Sequence, residues 1–308
     1  MAVRLDECPP VSIAVNFFEL TIGANGVVGG SISDRYSPCY KFRVPLEVSE
    51  CVDRLRSQPF YPKRVIFASG HAIQANYGRR EHHRELLVLK FVTEVVRQLG
   101  YIEEVILISS RLVEFSVKKT HTLTGQYELH ENYRNKKLAL EQTFISHFGK
   151  SNPEIRRRII RIPGVFGSYN DHPSRLIPSI CLAGKTGKPL SLRSGILSKI
   201  NLVPIDGLFE LLDMKEKKLE QDEHREPLVV TFQCASDFTI LSVIRDFFIA
   251  TGVRIRIQSQ LEHTYFERVM NDSARLMYPL SLVRQRLRLF FEIASGLQIR
   301  SDPINKRL

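Results

Sequence analysis

Apolar residues along this chain fall into short unbroken runs separated by amphipathic stretches, and the two kinds alternate. SIAVNFFEL predicts one strand over residues 12–20, stopped by Thr21 and a glycine turn. A short helix is expected over 27–36, a second strand at 40–44 (YKFRV) and a helical face from Val48 to Leu55. RVIFAS at 64–69 is a continuous apolar run ending at Gly70, as in a strand covered on both faces. Residues 82–99 put Leu86, Leu89, Val92, Val96 and Leu99 on one helical stripe closed by Gly100. A buried strand at 105–109, a long helix at 131–148 and a strand at 157–162 follow. This alternation predicts an α/β fold, a Rossmann-type doubly wound parallel sheet with helices on both faces.

After Gly167 the pattern changes. SYNDHPSRLIPSICLAGKTGKPLSL mixes a polar loop, a short helix and a strand. INLVPID at 200–206 returns to a strand feeding a helix at 207–218. PLVVTFQCAS, a helix at 238–251, VRIRIQ and a helical end broken at Pro279 complete the chain. The expected organisation is a dinucleotide-binding domain over 1–167, with 200–218 returning to it. A smaller, partly interleaved C-terminal α/β domain over 168–308 is expected to bind substrate.

The chemistry-bearing residues fall at strand ends, where functional loops of such sheets lie. In TIGANGVVGG, Gly23 permits a tight turn, Gly26 lets a pyrophosphate approach the backbone, and Gly29 lets the helix pack closely on the strand. Amides of Asn25, Gly26, Val27 and Val28 then face phosphate at the positive end of that helix. Taken alone, the triplet reads equally well as a plain strand–helix turn. Ser110 ends the strand VILISS, and Tyr133 and Lys137 stand one turn apart on the next helix, sharing a face. A free phenol loses its proton near pH 10. A neighbouring ammonium and a positive nicotinamide favour the phenolate and make it a usable base. Read singly, Tyr133 is a surface or interface tyrosine and Lys137 a solvated partner of Glu141. With Ser110 in the same order along the chain, a redox site is the stronger reading.

Composition changes this picture little. At 308 residues, 43% hydrophobic and 25% charged, the chain is ordinary for a folded protein. MAVRLDECPP holds no secretory apolar segment, and no run approaches the ~20 apolar residues of a membrane span. The five cysteines lack metal-type pairing and suit a reducing cytoplasm. His82, His83, His121 and His130 lack ligand spacing, so no metal is expected. The formal charge of +11 favours an anionic partner but is spread out. Its densest run, Arg156–Arg158, reads as a solvated strand entrance. No nucleic-acid motif is visible.

At these residues the chain resembles an extended short-chain dehydrogenase/reductase of the nucleotide-sugar epimerase/dehydratase group. TIGANGVVGG is similar to that group's Gly-x-x-Gly-x-x-Gly turn, SSRLVEF to its serine segment, and NYRNKKLALEQ to its Tyr-x-x-x-Lys helix. RIPGVFG resembles the segment beside the nicotinamide, NLVPIDGLFELL a later strand and helix, and DSARLMYPLSL the group's C-terminal substrate-domain helix. These segments are collinear over about residues 12 to 290. The resemblance implies hydride transfer at a sugar carbon by epimerisation or keto reduction. Tyr133 would be the acid/base, Lys137 would hold the ribose, and Ser110 would orient the sugar oxygen. Gly23, Gly26 and Gly29 would hold the pyrophosphate. Ala68, Ser69 and Gly70 would lie along the cofactor, and Pro163 to Val165 would line the nicotinamide. Arg175, Leu190 and Leu192 would meet the nucleotide-diphosphate sugar. A homodimer through the helices at 82–99 and 131–148 is implied.

Several departures stand out. Relatives that prefer NAD carry an acid after the second strand, whereas this chain reads YKFRVPLE there. Lys41 or Arg43 could instead meet a 2′-phosphate, so the cofactor is NAD or NADP, with NADP favoured. Arg43 as an ordinary exposed strand residue is the equal alternative. Between Gly29 and Arg64 one strand–helix step is missing. Arg111-Leu112 after the serine argues against dehydration, Gly207 replaces an Asp, and Gly164 an Asn. A non-catalytic Rossmann-type sensor or scaffold is the rival reading.

Overall fold

The computed structural model describes residues 11–15, 19–23, 27–35, 40–44, 47–59, 61–68, 78–117, 124–151, 154–168, 175–192, 195–213, 227–259, 266–268 and 274–295. The first half holds β1 (Val11–Val15), β2 (Glu19–Ile22), α1 (Val27–Arg35), β3 (Tyr40–Val44), α2 (Val48–Arg56) and β4 (Arg64–Phe67). It continues through α3 (Arg79–Leu99), β5 (Glu104–Ser110), a 3-10 turn over Arg111–Glu114, β6 (Phe115–Val117), α4 (Thr124–Ser151), β7 (Arg156–Ile162) and β8 (Gly164–Phe166). The second half runs α5 (Leu176–Thr186), β9 (Leu190–Leu192), β10 (Lys199–Ile200), β11 (Leu202–Pro204), α6 (Ile205–Asp213) and β12 (Leu228–Cys234). Then come β13 (Phe238–Thr239), α7 (Ile240–Thr251), β14 (Ile257–Ser259), β15 (Phe266–Arg268), β16 (Ala274–Tyr278) and α8 (Leu280–Ser295).

Eight strands make one sheet in the order β16-β12-β7-β5-β4-β2-β1-β3. The six from β16 to β2 are parallel. Consecutive residues of the central strands enter opposite layers, as the period of two requires. Val65 and Phe67 of β4, Val105 and Leu107 of β5, and Ile159 of β7 pack with Leu89, Val92 and Val96 of α3 and Leu140, Phe144 and Phe148 of α4. Ile66, Ile106, Ile108, Ile160 and Ile162 pack on the other face with Ile32 of α1, Leu208 and Leu211 of α6 and the C-terminal helices. Both faces are covered, and the doubly wound α/β expectation holds for these strands.

The remaining edge differs from the sequence-based expectation. The strand predicted at 12–20 is two antiparallel strands, with Ile13 opposite Ile22 and Val15 opposite Leu20. β3 pairs antiparallel with β1 in turn, Ser12 opposite Arg43. The N-terminal strand therefore fills the slot beside β2, and β3 lies two strands out. The missing strand–helix step is visible here: the chain crosses from β2 through α1 to β3 and returns through α2 to β4. Residues 274–278, expected in a substrate-domain helix, instead form the sixth parallel strand, and the helix begins at Leu280.

The arginine run is not a solvated entrance. Arg157 and Arg158 are buried. Register places Glu19, Arg64, Glu104 and Arg156 in one row across four strands. Arg64 binds Glu19 and the Leu212 carbonyl (2.7 Å), and Arg158 pairs with Glu104 at 3.0 Å. Alternating charge lets these groups be buried together at the strand entrances, where unpaired they would be costly. Gly207 has a packing reason: a Cβ there would lie 2.8 Å from Tyr278 and 3.0 Å from Phe232.

Candidate active site at the carboxyl ends of the strands

β2, β4, β5 and β7 are neighbours in parallel, so their carboxyl ends line up about 4.8 Å apart. Gly23 leaves β2 with φ of 87°, a conformation that costs a residue bearing Cβ ~1–2 kcal/mol. Gly29 is buried on α1, and Val28 packs on the core beside it. The Ala68 amide, just past β4, donates to the Ile22 carbonyl at 2.9 Å. Asn25, Gly26, Ser69 and Gly70 lie outside the described residues, as do the side chains of Val27 and Arg43. Gly23 thus closes β2, and Gly29 lies buried on the helix that follows it.

Ser110 ends β5 half-buried, and its Oγ accepts from the Leu112 amide at 3.2 Å, capping the 3-10 turn. α4 lies along the segment that follows. Nε2 of His130 meets the Phe115 carbonyl at 3.1 Å, and Arg134 Nε donates to the Val113 carbonyl at 3.1 Å. Tyr133 lies between these two anchors, half-buried, with the Lys137 ammonium 5.9 Å from its ring centre. Pro163 follows β7, next to β5 in the sheet. The Gly164 amide donates to the Asn201 carbonyl at 3.1 Å, and a Cβ on Gly164 would lie 2.9 Å from the Leu202 side chain. That contact explains glycine at 164.

Lys137 is not a solvated partner of Glu141. It is 4% exposed and donates to both oxygens of Glu85 on α3, at 3.0 and 3.3 Å. Burial works against its charge, but the carboxylate of Glu85, then Tyr133 and Glu141, outweighs it and holds the ammonium above its ordinary range. Glu141 is engaged elsewhere. It accepts from Ser109 Oγ at 2.6 Å and from Arg161 at 3.2 and 2.8 Å. Arg161, 1% exposed, also lies 3.7 Å from Glu114, which accepts from Thr231. This buried chain of charges ties α4, β5, β7 and β12 together beneath Tyr133. Arg111 pairs with Asp237 at 3.3 Å, and Asn201 donates to the same carboxylate at 2.8 Å.

Sequence reasoning missed Glu85, Arg161 and Glu114 as partners. A lone arginine inside IIRIP and a lone acid inside RLVEF were the available signals, since a charge in a buried run needs a partner. Arg175 precedes α5 and donates to the Val165 carbonyl at 3.0 Å, tying the start of α5 to β8. Leu190 and Leu192 pack in the core, so β9 turns Ser191 outward instead. A buried leucine offers a ligand no open surface. Among the described residues, no group of three or more His, Cys, Asp or Glu side chains is placed to hold a metal ion. In the same set no helix is long and apolar enough to cross a membrane.

MoeE5 in complex with UDP-glucuronic acid and NAD superposes with TM-score 0.61 over 92% of this chain and 93% of its own, at 15% identity. Thermus thermophilus UDP-glucose 4-epimerase in complex with NAD gives 0.60 over 90% and 98%, at 16% identity. RMD from Pseudomonas aeruginosa, complexed with NADPH, gives 0.59 over 88% and 98%, at 18% identity. The chain shares the Rossmann-type α/β fold of these solved structures. No protein-family model and no curated protein matches the chain. At these identities the likeness is one of fold, and the chemistry rests on the residues.

Proposed function

We propose that this chain is an NAD(P)-dependent enzyme of the extended short-chain dehydrogenase/reductase family, acting on a nucleotide-diphosphate sugar by keto reduction or epimerisation. The observation that carries this reading is Tyr133 on α4, held along the segment after Ser110 with an ammonium 5.9 Å from its ring. Solved structures of the same fold hold UDP-sugars with NAD, or NADPH.

Gly23, Gly29 and the start of α1 would hold the cofactor's pyrophosphate, while Lys137 and the Pro163–Val165 segment would hold its nicotinamide ribose and ring. The Gly23 conformation and the buried Gly29 fit that group, because both leave the backbone close to the helix start. The bound nicotinamide would supply or accept the hydride at the sugar carbon. Tyr133 gives its proton to the sugar oxygen in reduction and takes it back in oxidation. Ser110 orients that oxygen. Arg175 stands at the substrate side. NADP is favoured over NAD because the residue near the end of β3 is Arg43 rather than an acid. Pairing of two copies through α3 and α4, a cytoplasmic location and a role in surface-polysaccharide synthesis belong to the same reading.

A second reading, a non-catalytic Rossmann-type binder, draws on the antiparallel strand beside β2. The two separate cleanly. Purified protein is incubated with UDP-, GDP-, CDP- and dTDP-linked sugars, with and without NADPH, and titrated with NADH and NADPH. Turnover lost in Tyr133→Phe supports the enzyme. Cofactor binding without turnover of any sugar supports the binder.

A further inference from the structure

Lys137 faces two carboxylates, and they are not equivalent. Glu141 is committed to Arg161 and Ser109, whose hydrogen bonds occupy both its oxygens. Glu85 presents both oxygens to Lys137, and each side chain of the pair is 5% exposed. The pair bridges α3 and α4 one helical turn below Tyr133.

We propose that Glu85 is a positioning residue that holds the Lys137 ammonium and cancels its charge beside Tyr133, so that the phenol rests protonated and the site favours the proton-donating, reductive direction. This deepens the enzyme reading above and rests on it for the direction of turnover. A reductase needs the proton on Tyr133 before the sugar carbonyl arrives, whereas the oxidising first half of an epimerisation needs it off. An uncancelled ammonium one turn away favours the second state, and a paired one the first.

The other charged groups near the pair do not replace Glu85. On α3, His82 is held below its ordinary range by burial, then by Lys136 and Lys137 and by His83, so it adds no charge near neutrality. On α4, Lys136 adds positive charge. Arg161, from β7, binds both Glu141 and Glu114, the latter from the turn after β5. Burial strengthens the effect, because two charges in a poorly solvated site interact more strongly than at a surface.

The test reads tyrosinate absorbance against pH, taken as intact protein minus Tyr133→Phe, and repeats it in Glu85→Gln. The expected result is a Tyr133 midpoint about one pH unit lower in Glu85→Gln, and restored in Glu85→Asp, which keeps the charge. A midpoint unmoved or raised in Glu85→Gln overturns the proposal. Leaving Lys137 buried against an uncharged partner puts folding at risk, so a paired replacement is included. Glu85→Met with Lys137→Met exchanges the buried pair for apolar groups of similar volume, a change that folds often tolerate. Cancelled charges leave the Tyr133 midpoint within about half a unit of the unaltered protein. A rise above one unit shows that Lys137 was acting alone and overturns the proposal.

Turnover supplies the second readout. Keto-sugar reduction by Glu85→Gln falls away about one pH unit earlier than in the unaltered protein. If the unaltered protein turns over no nucleotide sugar, the enzyme reading fails while the absorbance titration still decides the role of Glu85.

Discussion

The two sides of the main sheet solve the same structural problem differently. From β4 through β5 and β7 to β12 the strands are parallel, both faces are covered, and Ser110 stands at the carboxyl end of β5. This side is braced by Glu85–Lys137 and by the Ser109–Glu141–Arg161–Glu114–Thr231 network. From β2 outward the next strand comes from the N-terminal end of the described chain and runs the other way. A doubly wound sheet places ligands where parallel strands end, and an antiparallel strand brings its first residue to that side instead. In the proposed enzyme, proton transfer and cofactor grip would therefore fall on different sides of the sheet. One side keeps its register and its buried charges, while the other is rebuilt.

The most severe way to break this picture is at Tyr133. Tyr133→Phe removes one hydroxyl and is expected to lower turnover by about 10²–10⁴-fold, with cofactor binding and thermal unfolding little changed. Equal turnover in the variant would remove the proton-transfer side of the comparison. Next comes its support. Arg161→Met leaves Glu141 and Glu114 buried with one fewer cation, and a loss of about 3–5 kcal/mol in urea unfolding is expected. A loss below ~1 kcal/mol would show that the network does not brace the site.

Legibility in the sequence follows the same division. Strands β4, β5 and β7 are unbroken apolar runs closed by glycine, serine or proline, so their extents can be read from VIFAS, VILISS and IIRIP, and their parallel arrangement from the helices between them. Ser110, Tyr133 and Lys137 could be picked out because they fall on elements with clear periodicity. VSIAVNFFEL carries no glycine or proline to mark a reversal, and apolar runs do not encode strand direction. One strand of nine residues and two antiparallel strands of five and four therefore look alike. The ion-pair partner of Lys137 was hidden for a related reason. Helical spacing pointed to Glu141, whereas the partner comes from α3, 52 residues earlier, and only tertiary packing brings it there.

A gentler probe acts where the two sides meet. Gly23→Ala puts a Cβ on a residue with φ of 87° and is expected to cost about 1–2 kcal/mol in unfolding. The same strained turn faces the phosphates in the enzyme reading, so cofactor affinity falls as well, while Tyr133 is untouched. Full stability together with unchanged NADPH binding would show that the turn does not serve a phosphate cradle.

The finest test concerns the rebuilt side and asks how well the protein tells NADPH from NADH. In a sheet whose second strand is parallel and adjacent, the residue ending that strand lies one spacing from the glycine turn and can touch the adenosine ribose. Here that slot belongs to β1, and Arg43 stands on β3, paired with Ser12, two spacings or about 10 Å from β2. At that backbone spacing a unit charge and a dianionic phosphate in water attract by roughly 0.8 kcal/mol before screening, and about 8 Å of Debye length at physiological salt removes more than half of it. NADPH should therefore bind more tightly than NADH by less than about tenfold, with the difference shrinking as salt is raised from 0.02 to 0.15 M. Fluorescence titrations of both cofactors at the two salt concentrations check this. A preference beyond about a hundredfold in either direction corresponds to some 2.7 kcal/mol, which needs a side chain bonded directly to the 2′ group. Such a result would mean that the antiparallel edge still grips the adenosine end, and the contrast between the two sides of the sheet would be lost.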